Sequence, residues 1–195
     1  MLEKIGPRAR GTVTLAWMVA CAAGFVASQA AAELVNENLL VAVPDGYKID
    51  FRARKNGMLI NEMVPAAESV HGWTEMVTVQ IFYNFKAGLE DFRAQSEKFW
   101  AGACPGSRFN TVAKATENGY PALIWLQSCP LNKATGKPEI TWFKAIKGHD
   151  SLYVVQKAFK FMPTKEQIGT WMQYLKKVAV CDSRLLDRAC PATKQ

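Results

Sequence analysis

Two Asn-Gly dipeptides, each set between strand-like runs, constrain the fold of this chain more than any other feature. Asn-Gly is favoured in the two-residue turns that join antiparallel strands, because both turn positions take a positive φ. Asn56-Gly57 separates the runs 47–55 and 58–64. Asn118-Gly119 separates the runs 109–115 and 120–129. The chain is therefore expected to build an antiparallel sheet from hairpins.

The run 47–55 alternates between apolar and polar residues almost without interruption. A strand with one face in water has this period of two. The pattern predicts that the apolar members share one face and that the charged members share the other. The apolar set is Tyr47, Ile49, Phe51 and Ala53, and the charged set is Lys48, Asp50, Arg52 and Arg54.

Two segments repeat apolar residues at helical spacing, which predicts helices at 89–103 and at 164–179. In the second helix, Thr164 as the N-cap and Gln167 three residues later form a capping box. The remaining strand-like runs are 39–43, 74–83, 139–146 and 151–161. Four strands, a helix, four strands and a helix predict an α+β fold. In this fold two main helices pack on an antiparallel β-sheet built from hairpins.

The first 32 residues have the pattern of a secretory signal peptide. A basic segment with Lys4, Arg8 and Arg10 precedes an apolar run at 12–27, and small residues at 28–32 offer an A-x-A-type cleavage site. The alternative is an uncleaved anchor, but the apolar run is shorter than the roughly 20 residues that span a bilayer. We predict a signal peptide at 1–32 and a single α+β domain at 33–195. The location is then the periplasm or the cell exterior.

The charge of the chain is mildly basic and scattered. The formal net charge is +7, and it falls to +5 without residues 1–32. No block of five like charges occurs, so a nucleic-acid-binding tail is not expected. We interpret the later lysines as a solvated face, and affinity for an anionic surface is the alternative. These lysines are Lys144, Lys147, Lys157 and Lys160.

Four cysteines remain after residue 32, and an even number in an exported chain predicts two disulfides. They are Cys104, Cys129, Cys181 and Cys190. Three connectivities are open. We favour Cys104–Cys129, which joins a helix end to a strand end, and Cys181–Cys190, which closes a short loop after the last helix.

The segment Val43-Pro44-Asp45-Gly46-Tyr47 and the order of elements resemble the PsbP/Mog1 group of α-β-α sandwich domains. In that group a P-x-G-[YW] turn follows the first strand, and a last helix packs across the sheet. Its members are mostly non-catalytic accessory and binding proteins. The resemblance therefore implies a binding or assembly role, and it transfers no functional residue.

Motifs for familiar enzymes, cofactors and metals are absent from the sequence. There is no G-x-S-x-G, H-E-x-x-H, P-loop, dinucleotide fingerprint or C-x-x-C. The sequence contains only two histidines. We interpret His149-Asp150-Ser151 as a polar hairpin turn, because members of a catalytic triad come from separate elements. No catalytic residue, metal ligand or cofactor is predicted.

The loop before the fourth strand contains the candidate binding residues, Glu68, His71, Trp73 and Glu75. Acidic residues, a histidine and a tryptophan on one loop can form a ligand-binding lip. The alternative is a surface loop that Trp73 anchors to the core.

Glu62 is a further candidate, because it lies within an otherwise apolar strand. It could form an ion pair with Arg52 or Arg54, or act as a general acid or base with a raised pKa.

The function that we expect is that of an exported soluble envelope protein, a non-catalytic binding or accessory module. Its partner would be another protein or an anionic component of the envelope, and not a nucleic acid. The alternative is a small periplasmic hydrolase-type enzyme centred on His71 with Glu68 or Glu75. Such an enzyme needs a pocket in which these groups converge on a nucleophile or a bound water.

Overall fold

The computed structural model describes residues 34–191. The predicted signal peptide at 1–32 and the last four residues lie outside this range. Within it, the chain forms nine strands and two α-helices. The strands are β1 (Glu37–Leu40), β2 (Tyr47–Lys55), β3 (Met58–Pro65), β4 (Glu75–Tyr83), β5 (Arg108–Glu117), β6 (Tyr120–Asn132), β7 (Lys137–Lys147), β8 (Ser151–Phe159) and β9 (Ala179–Asp182). The helices are α1 (Leu89–Ala103) and α2 (Lys165–Lys177).

The main sheet has seven strands in the order β2-β3-β4-β8-β7-β6-β5, and every neighbouring pair is antiparallel. Asn56-Gly57 and Asn118-Gly119 form the predicted hairpin turns, and all four residues have positive φ. The α+β class with an antiparallel sheet built from hairpins is therefore confirmed.

One helix covers each face of this sheet. On one face α2 packs through Trp171 and Leu175 into a core that includes Trp142, Tyr153 and Phe159. On the other face α1 packs through Phe92 and Trp100 against a smaller aromatic core. In that smaller core the rings of Trp125 and Phe143 stack with centroids 4.8 Å apart. The predicted sandwich with two main helices is confirmed.

The start of α2 is as predicted, but its end is not. The Thr164 hydroxyl accepts a hydrogen bond from the N–H of Gln167, and the Gln167 side chain accepts one from the N–H of Thr164. The helix ends at Lys177, and residues 179–182 form β9, which pairs with β1 in a separate two-stranded sheet. The sequence missed β9 because Val178, Ala179 and Val180 also fit the apolar repeat of a helix.

A bulge makes the predicted alternation of β2 wrong. Ile49 pairs with Met63, whereas Phe51 pairs with Glu62, and the register shifts between them. Directly opposed residues share a face, and neighbouring residues of β3 point to opposite faces. Tyr47 and Ile49 therefore face α2, whereas Phe51 lies on the α1 side of the sheet and is 42% exposed.

Both favoured disulfides are present. Cys104–Cys129 joins the residue after α1 to β6, and Cys181–Cys190 joins β9 to the end of the described chain. Separately, we find within residues 34–191 no helix that is both long enough and apolar enough to cross a membrane.

Candidate functional site

A buried lysine organises one end of the main sheet. Lys157 of β8 is fully buried, and its Nζ lies 2.6 Å from Oε2 of Glu75 and 2.7 Å from the hydroxyl of Tyr47. The Tyr47 hydroxyl in turn donates to Glu75 at 2.8 Å. The ammonium also lies 3.6 Å from the ring centroid of Trp171 and 4.5 Å from that of Phe159. We call Tyr47, Glu75, Lys157, Phe159 and Trp171 the Lys157 cluster.

Burial controls the electrostatics of this cluster. It lowers the pKa of Lys157 to about 8, although the neighbouring Glu75 carboxylate opposes the shift. Burial also raises the pKa of Tyr47, and the bond to Glu75 adds to that effect. The polar members of the cluster are thus an ammonium, a carboxylate and a phenol, and they form hydrogen bonds with one another. The interpretation of Lys157 as part of a solvated face is wrong.

Lys144 of β7 is buried on the same face of the sheet, so this part of the predicted solvated face is also wrong. Its Nζ donates to the carbonyls of Leu175 at 3.0 Å and Val178 at 2.7 Å, and it lies 2.9 Å from Oε1 of Glu117. A cation at the carboxyl end of a helix satisfies the last carbonyls and interacts favourably with the helix dipole. Lys144 therefore fixes the end of α2 to the sheet.

The loop between β3 and β4 is held by its own acidic residue. The Glu68 carboxylate accepts hydrogen bonds from the N–H of Thr74 at 2.7 Å and from its hydroxyl at 2.5 Å. The N–H of Val70 donates to Asp50 of β2 at 2.8 Å. This arrangement positions the loop beside the Lys157 cluster, where the Glu68 charge acts on Lys157.

The four predicted binding residues occupy different environments at this end of the sheet. Glu75 is part of the Lys157 cluster, and Glu68 braces the loop. Trp73 is half-buried, and Nζ of Lys160 lies 3.7 Å from its ring centroid. His71 is exposed, and its imidazole takes part in none of the hydrogen bonds formed among residues 34–191. Whether these residues bind a ligand stays a prediction.

Glu62 lies on the side of the sheet that faces α1, paired with Phe51 and Thr78. Arg52 pairs with Asn61, and Arg54 pairs with Leu59, so both arginines point to the opposite face. The suggested ion pair is therefore not formed among the described residues. Burial raises the pKa of Glu62.

Two adjoining clefts lie between α2 and the segment that precedes β2. One has a volume of about 410 Å³ and reaches from Leu39 to the end of α2, and the other has a volume of about 570 Å³ and extends to Asp45 and Thr170. Both are lined by Ala42, Tyr174 and Lys177, which form the wall that they share, and we call the two clefts together the α2 groove. Trp171 lines this groove and also contacts Lys157.

Across residues 34–191, no group of three or more His, Cys, Asp or Glu side chains is arranged to hold a metal ion. The α2 groove is lined largely by apolar and aromatic side chains, and its polar lining residues are Asp45, Thr170, Gln173 and Lys177. Such a surface can bind a ligand by contact and by charge.

By architecture, the described part of the chain is an α+β sandwich. No protein-family model matches the chain, and no curated protein matches it. Among solved structures it is similar to a mutant of the protein Mog1, with 14% identity over 70% of this chain and 78% of that one, at a TM-score of 0.42. It is also similar to the Ran-binding protein Mog1p of Saccharomyces cerevisiae, with 13% identity over 72% and 85% of the two chains and a TM-score of 0.41.

A further similar structure is LpqN, involved in cell envelope biogenesis of Mycobacterium tuberculosis. Its identity is 12% over 76% of this chain and 86% of that one, with a TM-score of 0.34. The chain thus resembles the Mog1 structures in topology, as the order of elements predicted. At these identities and scores, the similarity does not indicate a partner or an activity.

The buried lysine predicts an unusual dependence of stability on pH. Lys157 loses its proton near pH 8 in the folded protein, but its ordinary pKa is 10.5. Between these values the unfolded chain binds more protons, so the burial penalty is relieved as the pH rises. The free energy of unfolding should increase by about 1 kcal/mol between pH 8 and pH 9. Urea unfolding at the two pH values measures this change.

Above about pH 10 the trend should reverse, because burial raises the pKa of Tyr47 and Tyr153 and the unfolded chain then loses these protons first. The matched control is Lys157→Met, which removes most of the rise. A small rise should remain, since burial also lowers the pKa of Lys144. An equal rise in the variant and the parent protein would contradict the assignment.

Proposed function

We propose that the protein is a non-catalytic binding module that is exported and works in the periplasm or outside the cell. The observation that carries this proposal is the contrast between the Lys157 cluster and the α2 groove. The polar groups of the cluster bond to one another beneath α2. The groove beside it is open and largely apolar. This arrangement fits the binding of a partner better than it fits catalysis.

The cysteines support the proposed compartment. All four cysteines after residue 32 are joined in two disulfides. Such bonds form and persist in oxidising compartments, and they are rare where thiols are kept reduced. Together with the signal peptide predicted at 1–32, they support export.

The partner that we propose is another protein of the same compartment. One residue of the predicted lip, Glu75, bonds to Lys157, whose ammonium lies on the face of Trp171, a residue that lines the α2 groove. His71 is exposed at this lip. We therefore place the partner against the end of the sheet where the loop and the groove meet.

Cross-linking from a chosen position tests this placement. A photo-reactive residue at His71 of the exported protein is expected to form a discrete protein adduct in the intact cell envelope. The same residue at Lys98 is the control, because Lys98 is exposed on α1, which packs on the opposite face of the sheet. Adducts that form equally from both positions, or from neither, would contradict the placement.

The hydrolase alternative is tested on the purified disulfide-bonded protein with ester, amide and phosphoester substrates. We expect no turnover above that of a buffer blank. Turnover that His71→Ala abolishes and Lys98→Ala retains would overturn the binding-module proposal, because an enzyme centred on His71 would then be shown.

A further inference from the structure

The two Asn-Gly turns of the main sheet share one backbone conformation but differ in their surroundings. Asn56 and Asn118 have φ angles of 51° and 49°, and Gly57 and Gly119 have φ angles of 73° and 79°. All four residues are exposed at the tips of hairpins. The backbone therefore gives the two asparagines nearly the same starting geometry. A difference in their chemistry has to come from the groups around them.

The last strand holds the side chain of Asn118. Its Nδ2 donates a hydrogen bond to the carbonyl of Val180 in β9 at 2.9 Å. The Arg188 side chain packs so closely on Gly119 that a Cβ added at this glycine would overlap the guanidinium. The same guanidinium lies 4.6 Å from the ring centroid of Tyr120, which follows the turn. The Asn118 amide thus cannot turn toward the nitrogen of Gly119 without losing its bond to Val180.

The side chain of Asn56 has no comparable contact. It forms no hydrogen bond with any residue in the described range 34–191. The turn is tied to the neighbouring strand through the Gly57 carbonyl, which accepts a hydrogen bond from the N–H of Tyr83 at 2.8 Å. The turn also ends β2, which is an edge strand of the main sheet. The Asn56 amide is therefore free to rotate.

We propose that Asn56 is a site of spontaneous deamidation and that the fold protects Asn118 from the same reaction. The backbone nitrogen of Gly57 attacks the side-chain carbonyl carbon of Asn56 and gives up its proton. Ammonia leaves, and a cyclic imide forms. Water is the one co-reactant: it opens the imide at either carbonyl and yields aspartate or isoaspartate. Glycine favours the attack because it has no side chain to shield its nitrogen.

The attack requires the hairpin turn to open locally, because the turn fixes the backbone on both sides of the reacting bond. Opening at Asn56 disrupts the turn and its bond to Tyr83. Opening at Asn118 also breaks the bond to Val180 and separates Gly119 from the guanidinium that packs on it. We expect this difference to make Asn118 react about tenfold more slowly than Asn56.

The reaction would change both the charge and the pairing of the hairpin formed by β2 and β3. It replaces a neutral residue with a carboxylate next to Lys55, at the end of a strand that contains four basic residues. Isoaspartate also adds one carbon to the main chain, and a two-residue turn does not accommodate this without a change in strand register. The bond from Tyr83 to Gly57 should then weaken. Deamidation at Asn56 would thus remodel this hairpin.

The test follows both asparagines in the disulfide-bonded protein during incubation in mildly alkaline buffer made with water enriched in heavy oxygen. Peptide mass spectrometry measures the conversion of each asparagine to an acid, and an unincubated sample corrects for conversion during digestion. Asn56 should convert about tenfold faster than Asn118, and its products should contain heavy oxygen. In the reduced protein unfolded in urea, the two rates should be similar, because both sequences are Asn-Gly.

A matched variant releases the protected turn. Replacing Cys181 and Cys190 with alanine removes the disulfide beside Val180 and should loosen β9. The rate at Asn118 should rise in this variant, while the rate at Asn56 should stay as in the parent protein.

Equal rates in the folded protein, a faster reaction at Asn118, or conversion at neither position would each overturn the inference. A difference that persists in urea would also overturn it, because local sequence and not the fold would then be its cause. The proposed function is judged separately, because it depends on the adducts from His71 and on the absence of turnover.

Discussion

Replacing Glu75 with Gln is expected to lower the free energy of unfolding by about 3 kcal/mol at pH 7. The glutamine keeps the shape of the side chain, but it leaves the fully buried Lys157 ammonium without the carboxylate that lies 2.6 Å away. That ammonium lies on the face of Trp171, on which α2 rests. Urea unfolding measures the loss, provided that the slope of the transition is unchanged.

The chain supplies a matched control for this substitution. Glu90 also pairs with a lysine, Lys114, but both side chains are exposed. Glu90→Gln should therefore leave the free energy of unfolding nearly unchanged. Adding Lys157→Met to Glu75→Gln should recover much of the loss, because it removes the stranded charge. A cost for Glu75→Gln no larger than that for Glu90→Gln would refute the proposed role of the cluster.

The sequence contains a signal that Lys144 and Lys157 are buried, but counting charges along the chain does not reveal it. Lys144 has the parity of Ile140, Trp142 and Ile146, and Lys157 has the parity of Tyr153, Val155 and Phe159. Those apolar residues line the face under α2. A lysine on the buried side of a strand predicts a buried cation that requires a partner. The partners Glu75 and Glu117 come from other strands, so their identity depended on the sheet order.

Local patterns predicted the elements well where each pattern has one physical cause. The Asn-Gly turns, the capping box at Thr164 and the helical spacing at 89–103 all correspond to observed structure. The bulge in β2 has no recognisable pattern in the sequence. One extra residue moves the side chains that follow it to the other face of the sheet, but the residues still alternate between apolar and polar. β9 was hidden because an apolar run suits a helix and a strand equally well.

The candidate site was accessible from the sequence only in part. The sequence predicted a lip around Glu68, His71, Trp73 and Glu75, and the structure places Glu68 and Glu75 beside Lys157. The α2 groove could not be predicted, because it arises where the segment after β1 runs beside the last helix. That arrangement depends on the pairing of β1 with β9.

Removing the disulfide Cys104–Cys129 by replacing both cysteines with alanine is expected to lower the free energy of unfolding by about 3.5 kcal/mol. The bond closes a loop with a sequence separation of 25, and the loss is the loop-closure entropy that the unfolded chain regains. Both cysteines are buried, and the bond fixes the end of α1 to β6. Near that end, Trp100 packs edge-on against Phe143. Unfolding in urea, followed by tryptophan fluorescence, measures the change.

The second disulfide provides the control, because the same argument gives it a smaller effect. Cys181–Cys190 closes a separation of only 9, so its removal should cost about 2.6 kcal/mol. A domain of this size is stabilised by about 5–15 kcal/mol, so the two losses together would remove a large part of that stability. The reduced protein should therefore unfold at much lower urea than the oxidised protein. If reduction left the midpoint unchanged, the disulfides would not stabilise the fold, and the loop-closure argument would be wrong.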